Sequence, residues 1–180
     1  VNNAAVSPKT DFQERLGCLN GPLDDWREVF QLNFFTPLLL ARGFAPALAR
    51  AGKGDEDEGS APQTDGGASI VNITSIAGHQ SHPFAGSAYS TSKAALSALT
   101  REMAVEFAEF GVRVNAVAPG LVATPWTSDW DDLHAGIAAM VPCGRSATPE
   151  DCAQAVMTCI TNTYMNGTIL KVDGGTTLAL

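Results

Sequence analysis

The sequence lacks the patterns that mark several classes of protein. Its four cysteines form neither a C-x-x-C pair nor a zinc-ligand spacing, so we expect reduced thiols, no metal site and a cytoplasmic protein. The net charge of −8 offers no basic face for a nucleic-acid partner, although it leaves room for an anionic small ligand. We expect neither a signal peptide nor an apolar run long enough to cross a membrane.

The phosphate-binding turn of a dinucleotide fold is also missing. The pattern G-x-G-x-x-G occurs nowhere in the 180 residues. The chain begins with Val1 instead of methionine, and its first residues look like the end of a buried strand that enters a loop. We therefore expect roughly 70–100 further residues before Val1 in the natural protein, the size of the missing strand-helix repeats.

The chain that is present alternates between strands and helices. A strand end at the N-terminus precedes a long apolar helix that Asp24 or Asp25 could cap and that Pro37 could kink. Strands separated by helices of this length predict a parallel sheet with right-handed crossovers. The predicted helices cover residues 24–50, 87–110 and 148–161, and the predicted strands cover residues 69–74, 112–117 and 168–172. The motif Thr148-Pro149-Glu150-Asp151 predicts an N-cap, with proline in the first turn, for the last of these helices.

Two segments interrupt this alternation. Residues 51–67 are polar, acidic and glycine-rich, and they predict a flexible surface insertion because they cannot bury enough apolar surface to become ordered. Residues 121–142 predict a flap over the substrate, made of a loop and a short helix around residues 131–140.

Residues 75–93 contain the most informative spacing. Tyr89 and Lys93 are four positions apart, so on a helix they share one face. A tyrosine has an ordinary pKa near ~10, and a neighbouring cation lowers it. Ser75 follows a predicted buried strand and could hydrogen-bond the same substrate oxygen. The alternative is that Tyr89 and Lys93 form one of the common solvated pairs on a helix surface.

Five motifs, in order, make the chain resemble the short-chain dehydrogenase/reductase family. They are Asn2-Asn3-Ala4-Ala5, where the family has glycine at the fourth position; Asn33; Ser75 with Tyr89-x-x-x-Lys93; Asn115 with Pro119-Gly120 and Thr124; and Val172-Asp173-Gly174-Gly175. The resemblance implies an α/β fold, a Rossmann-like doubly wound parallel sheet that is N-terminally truncated, without its first strands and helices. Residues 1–180 would then form the C-terminal two thirds of a single domain.

The resemblance also implies a set of catalytic residues. Tyr89 would exchange a proton with the substrate oxygen, and Ser75 would bind that oxygen. Lys93 would lower the pKa of Tyr89 and hydrogen-bond the nicotinamide ribose. Asn33 would hold a water that connects Lys93 to solvent.

The implied cofactor is NAD or NADP. Besides Tyr89 and Lys93, the resemblance assigns its binding to Asn2 on the adenosine side, to the backbone of Val122 and to the hydroxyl of Thr124. Simpler roles also fit these residue types, since Asn2 could stabilise the sheet and Thr124 could cap a turn.

The function implied is NAD(P)-dependent interconversion of a carbonyl and an alcohol by hydride transfer. The alternatives are a non-catalytic binding or regulatory protein of the same fold and a nucleotide-sugar epimerase or dehydratase. The expected partners are a small carbonyl or alcohol substrate, which the sequence does not identify, and further copies of the chain in a homodimer or homotetramer. The broad apolar faces of helices 24–50 and 87–110 would pair in that oligomer.

Overall fold

A computed structural model of the chain describes residues 1–7, 16–53, 67–81, 85–127 and 131–179. Most of the predicted insertion 51–67 lies outside the described residues, as do residues 128–130 of the predicted flap. The helices are α1 (Leu23–Phe30), α2 (Thr36–Lys53), α3 (Ser87–Glu106), α4 (Asp131–Met140), α5 (Pro149–Thr161) and α6 (Thr176–Ala179). The strands are β1 (Ala68–Ile73), β2 (Val112–Pro119) and β3 (Ile169–Val172). A π-helical turn, Gln31–Phe35, joins α1 to α2, and 3₁₀ turns cover Ile76–Gly78, Ala108–Phe110 and Pro125–Thr127.

The three strands form a parallel sheet in the order β1-β2-β3. Val71 of β1 lies opposite Asn115 of β2, and Val117 of β2 lies opposite Leu170 of β3. Asn2 forms a parallel bridge with Asn72 at the other edge of β1. The predicted parallel α/β sheet is therefore confirmed, and the N-terminal residues enter it as a strand end.

Apolar residues of the strands are buried on both faces of the sheet. On one face, Ile70 and Val114 pack with Ala41 of α2 and Met103 of α3. On the other face, Val71 and Val117 pack with Ala155 and Cys159 of α5. Burial on both faces explains why these strands are nearly continuous apolar runs in the sequence.

Capping explains where the helices begin and end. The predicted N-cap of α5 is confirmed, because Thr148 Oγ1 accepts from Asp151 N at 3.3 Å and the Asp151 carboxylate accepts from Thr148 N at 2.8 Å. The predicted cap of the first helix is wrong: α1 begins at Leu23, and Asp24 and Asp25 lie in its first turn. There the negative charges of the two aspartates interact favourably with the positive end of the helix dipole.

The segment Leu23–Lys53 corrects the expectation that no apolar run is long enough to cross a membrane. By length and composition alone it could cross a membrane, since one window reaches a mean hydropathy of 1.2. Its helices nevertheless pack against α3 and β1, with Val29 and Ala41 buried in the fold. The outer face leaves Phe35, Leu39 and Phe44 exposed.

Candidate active site

The predicted catalytic residues meet at the carboxyl end of the sheet, where open α/β folds bind ligands. Ser75 lies just past the end of β1. Tyr89 and Lys93 lie on the first two turns of α3, which packs against β2 and the 3₁₀ turn after Ser75. Asn33 lies in the π turn, which also contacts α3.

Ser75 and Tyr89 are neighbours in the site. The Ser75 hydroxyl caps the following 3₁₀ turn by accepting from Ala77 N at 3.2 Å. It also lies close enough to the Tyr89 phenol to lower the pKa of that phenol by hydrogen bonding. A carbonyl oxygen placed beside these two hydroxyls could therefore receive hydrogen bonds from both.

Lys93 is a buried amine, with 2% of its surface exposed. Its Nζ donates to the carbonyl oxygen of Ile73, the last residue of β1, at 2.8 Å. The same atom lies 5.7 Å from the centre of the Tyr89 ring. Burial lowers the pKa of Lys93 to about 8, because the charged form loses its hydration.

The pKa of Tyr89 corrects an expectation from the sequence. Burial raises this pKa above its ordinary value, and the hydrogen bond from Ser75 only partly opposes the rise. The expected lowering by Lys93 is therefore not the dominant effect in this structure. A phenol with a raised pKa is protonated at neutral pH, which is the form that donates a proton.

The Asn33 side chain is fully buried and has protein partners for its whole amide group. Its Oδ1 accepts from Val6 N at 2.9 Å, and its Nδ2 donates to Val6 O at 2.9 Å and to Ser92 Oγ at 3.1 Å. Both N–H groups of the amide are thus used. The side chain ties the N-terminal segment to α3, so any water held by Asn33 would bind the main chain more readily than the amide.

A π turn around Asn33 lies directly before Pro37, the residue predicted to kink this helix. Thr36 donates to the Gln31 carbonyl from both its backbone N–H and its hydroxyl, the latter at 2.9 Å. Pro37 has no N–H, so the main-chain carbonyl of Asn33, four positions earlier, has no α-helical donor. This carbonyl therefore lacks its α-helical hydrogen bond, in a turn that packs against α3.

Asn2, predicted on the cofactor side, belongs to a buried polar chain. Its Nδ2 donates to Asn72 Oδ1 at 2.8 Å, and Asn72 Nδ2 donates to Thr100 Oγ1 at 3.0 Å. These contacts give Asn2 a sheet-stabilising role, whatever else it binds. Asn72 and Thr100 were not predicted to take part in this chain, although an asparagine within an apolar strand is a signal of a buried polar contact.

The segment after β2 presents Val122 and Thr124. Ala123 N donates to Ala147 O and Ala147 N donates to Leu121 O, both at 2.9 Å. In such a parallel bridge the N–H and C=O of the middle residue, Val122, point to the opposite side. Thr127, a residue not singled out from the sequence, folds the turn by donating from its hydroxyl to Val122 O at 2.8 Å.

The helix predicted around residues 131–140 is confirmed as α4, while its role as part of a substrate flap stays a prediction. The His134 ring bonds Ser146 Oγ at 2.7 Å and Thr127 O at 3.2 Å. Thr124, His134 and Ser146 line an open cavity of about 780 Å³. Through His134, α4 is thus attached to both the segment after β2 and the segment before α5.

The motif at residues 172–175 packs against the segment that follows α4. The Asp173 carboxylate accepts from Gly175 N at 3.0 Å and from Thr177 N at 2.9 Å. Burial opposes ionisation of Asp173, but these hydrogen bonds outweigh it and its pKa lies below the usual value. Gly174 and Gly175 have positive φ and lie against Val141 and Pro142, where a Cβ would collide.

Gly78 allows the turn after Ser75 to pack against α3. A Cβ at this position would lie 2.7 Å from Ala94 N and from the carbonyl carbon of Lys93. We expect Gly78→Ala to lower the free energy of unfolding by about 1–3 kcal/mol, because backbone atoms must move apart. Urea denaturation measures this change. Gly136→Ala on α4 is the control, since its Cβ meets nothing within 4 Å; an equal loss in both variants would contradict the packing argument.

Comparison with known proteins gives one consistent family. A sequence model described as "Enoyl-(Acyl carrier protein) reductase" matches residues 1–177. Protein FixR of Bradyrhizobium diazoefficiens is 44% identical over 177 residues, which are 97% of this chain and 58% of FixR.

Solved structures agree with this assignment. A 3-oxoacyl-[acyl-carrier protein] reductase with bound NAD from Brucella melitensis is 26% identical with a TM-score of 0.82, over 97% of this chain and 60% of that one. A second structure is an oxidoreductase of the short-chain dehydrogenase/reductase family from Brucella ovis, in complex with a partially ordered NAD. It is 37% identical with a TM-score of 0.67, over 95% of this chain and 62% of that one. The chain thus spans about three fifths of the length of these relatives. The fold, the match to residues 1–177 and the similarity to FixR show that the chain belongs to the short-chain dehydrogenase/reductase family.

Proposed function

We propose that this chain carries the proton-transfer site of an NAD(P)-dependent oxidoreductase that interconverts a small carbonyl compound and its alcohol. The observation that carries the proposal is the placement of the buried Lys93 amine, bonded to Ile73 at the end of β1, 5.7 Å from the centre of the Tyr89 ring, with the Ser75 hydroxyl next to the phenol. A cytoplasmic location and a small-molecule substrate belong to the same proposal.

In the reduction direction, the Tyr89 phenol donates its proton to the substrate oxygen. The Ser75 hydroxyl donates a hydrogen bond to that oxygen and so stabilises its developing charge. As the phenol loses its proton, the Lys93 ammonium stabilises the phenolate electrostatically. Oxidation of the alcohol runs the same steps in reverse.

The residues of this chain fit one end of a nicotinamide dinucleotide, which when bound supplies or accepts the hydride. Lys93 has three N–H groups, and the described contacts use one of them on Ile73, which leaves donors for a ribose hydroxyl. The Val122 peptide points away from its Ala147 partner and can bind an amide. Thr124 contributes a partly exposed hydroxyl, and Asn2 marks the adenosine side.

A water bound to the main-chain carbonyl of Asn33 completes the proposed proton path. Pro37 leaves this carbonyl without its helical donor, while the side chain is held by Val6 and Ser92. The water would pass protons between Lys93 and solvent. In this proposal Asn33 holds the water, as the resemblance implied, through its main-chain carbonyl oxygen and not through its side-chain amide.

The direct test is turnover by the protein expressed from its complete gene. Purified protein is mixed with NADH or NADPH and a panel of ketones and aldehydes, and the nicotinamide absorbance is followed. Oxidation of the cofactor with at least one carbonyl compound is expected. A folded protein that binds NADH or NADPH but turns over no member of the panel would support a non-catalytic role instead.

We propose further that the outer face of α2 joins two copies of the chain. The exposed side chains of Phe35, Leu39, Leu40 and Phe44 form an apolar stripe on a helix whose inner face is buried. A second copy offers the same stripe, so a two-fold contact would cover both.

Phe44→Glu tests this interface. We expect the variant to sediment as a monomer at micromolar concentration while the wild type sediments as a dimer or tetramer, because each interface would bury two unpaired carboxylates. Met157→Glu is the control, since Met157 is a comparably exposed apolar residue on α5. A monomeric wild type, or loss of association in both variants, would contradict the proposed surface.

A further inference from the structure

Ser92 is fully buried and contacts two residues of the proposed catalytic set, Asn33 and Tyr89. Its hydroxyl donates to the main-chain carbonyl of Tyr89 at 2.7 Å and accepts from Asn33 Nδ2 at 3.1 Å. It also directly precedes Lys93 in the chain. The hydroxyl is thus the point at which Asn33 is attached to the helical turn that carries both Tyr89 and Lys93.

The hydrogen bonds of Asn33 make this attachment specific. One N–H of the amide goes to Val6 O, and the other goes to Ser92. A methyl group at position 92 would leave that second N–H buried with no acceptor. The amide would then rotate or shift to find another partner, and the π turn that contains it would move with it.

The second hydrogen bond of the Ser92 hydroxyl goes to the main-chain carbonyl of Tyr89, within α3. A serine hydroxyl that bonds the carbonyl of the preceding turn competes with the backbone N–H and bends a helix locally. Here the bonded carbonyl belongs to Tyr89, in the turn that also carries Lys93, so the bond acts on the two residues whose relative position sets the proposed site.

We propose that Ser92 is a positioning residue that fixes the distance between the Asn33 main chain and the Tyr89–Lys93 turn. The proposal rests on the proposed oxidoreductase function, and it assigns to Ser92 no contact with substrate or cofactor. The spacing it sets is the gap that the water between Asn33 and Lys93 has to bridge.

The chain provides a matched control on the same helix. Ser97 is also buried, and its hydroxyl donates to the main-chain carbonyl of Lys93 at 2.9 Å. Ser97 therefore makes the same kind of bond to the backbone of a catalytic residue, but its described contacts do not include Asn33. Ser92→Ala and Ser97→Ala each remove a buried hydroxyl that bonds the helix backbone, but only Ser92→Ala also removes the contact with Asn33.

The kinetic test uses the protein expressed from its complete gene. Ser92→Ala is expected to lower kcat by about 10- to 100-fold with KM for cofactor and substrate changed less than about twofold, because alignment is lost while binding is kept. Ser97→Ala is expected to change kcat less than about twofold. Equal effects in the two variants would show a general helix effect and overturn the proposal.

A double-mutant cycle tests whether Ser92 acts through Asn33. In an Asn33→Ala background, Ser92→Ala is expected to change kcat less than about twofold, because the contact is already absent. An undiminished effect in that background would overturn the assigned route. Ser92→Cys, which keeps a weak hydrogen-bonding group of similar shape, serves if the alanine variant does not fold and is expected to give an intermediate kcat.

A readout without turnover separates this proposal from the proposed function. In nitrogen-15 spectra, the Asn33 side-chain amide protons are expected to exchange faster in Ser92→Ala than in the wild type, and to be unchanged in Ser97→Ala. Unchanged exchange in Ser92→Ala would overturn the role of Ser92 even in an active enzyme. An inactive wild type would overturn the proposed function, while the exchange result still decides whether Ser92 holds Asn33.

Discussion

Tyr89→Phe is expected to lower kcat for carbonyl reduction by about 10²- to 10⁴-fold, because the variant has no proton to give to the substrate oxygen. The ring keeps its place beside Lys93, so the fold should survive. Loss of the interaction between the phenol and Ser75 costs at most about 1 kcal/mol of stability. Initial rates with NADH or NADPH, together with a denaturation curve, measure the two effects separately.

Tyr164→Phe is the matched control for Tyr89→Phe. Tyr164 is the other tyrosine of the sequence and is fully exposed. It should keep wild-type rates. A Tyr89→Phe variant that retains more than about a tenth of the wild-type kcat would show that another group donates the proton.

The Tyr164→Phe protein also allows the pKa of Tyr89 to be measured. Tyr89 is then the single tyrosine of these 180 residues, so phenolate absorbance in the isolated chain reports its ionisation. Burial predicts a pKa above the ordinary value of 10.0 in the absence of cofactor. Ionisation well below that value would instead favour the tuning by Lys93 that the sequence had suggested.

Features that depend on local spacing could be predicted from the sequence. The four-residue interval between Tyr89 and Lys93 places both on one face of α3, and both come near the end of β1. The β-branched runs predict β1 and β2, and the Thr148 motif predicts the start of α5. Each of these follows from a repeat or a cap that lies within a few residues of the chain.

Features that depend on distant partners could not be predicted. The role of the Asn33 amide requires Val6 and Ser92, which are 27 and 59 positions away. The raised pKa of Tyr89 results from burial by several elements, so local charge alone gave the wrong direction. Arg113, read only as part of a strand, closes the end of α5 by donating to the carbonyls of Cys159 and Ile160.

Lys93→Met is expected to make the protein less active and more stable. Turnover should fall by at least about 100-fold, because the group that stabilises the Tyr89 phenolate is lost. Burial of the ammonium lowers the pKa from 10.5 to about 8, which costs the folded state roughly 3 kcal/mol at neutral pH. Loss of the hydrogen bond to Ile73 offsets about 1 kcal/mol of the gain.

The pH dependence of stability distinguishes this mechanism from a simple packing effect. Between pH 8 and 10.5 the unfolded chain holds a proton on Lys93 that the folded chain has released, so the wild-type free energy of unfolding rises with pH across that window. Lys93→Met lacks this rise, and its advantage over the wild type should shrink from pH 8 to pH 10.5. Lys53→Met, at an exposed lysine, should match the wild type in turnover and in this rise. An advantage for Lys93→Met that stays constant through the window would mean that the stabilisation comes from better packing and that the folded protein keeps the Lys93 proton as long as the unfolded chain does, with no lowering of its pKa.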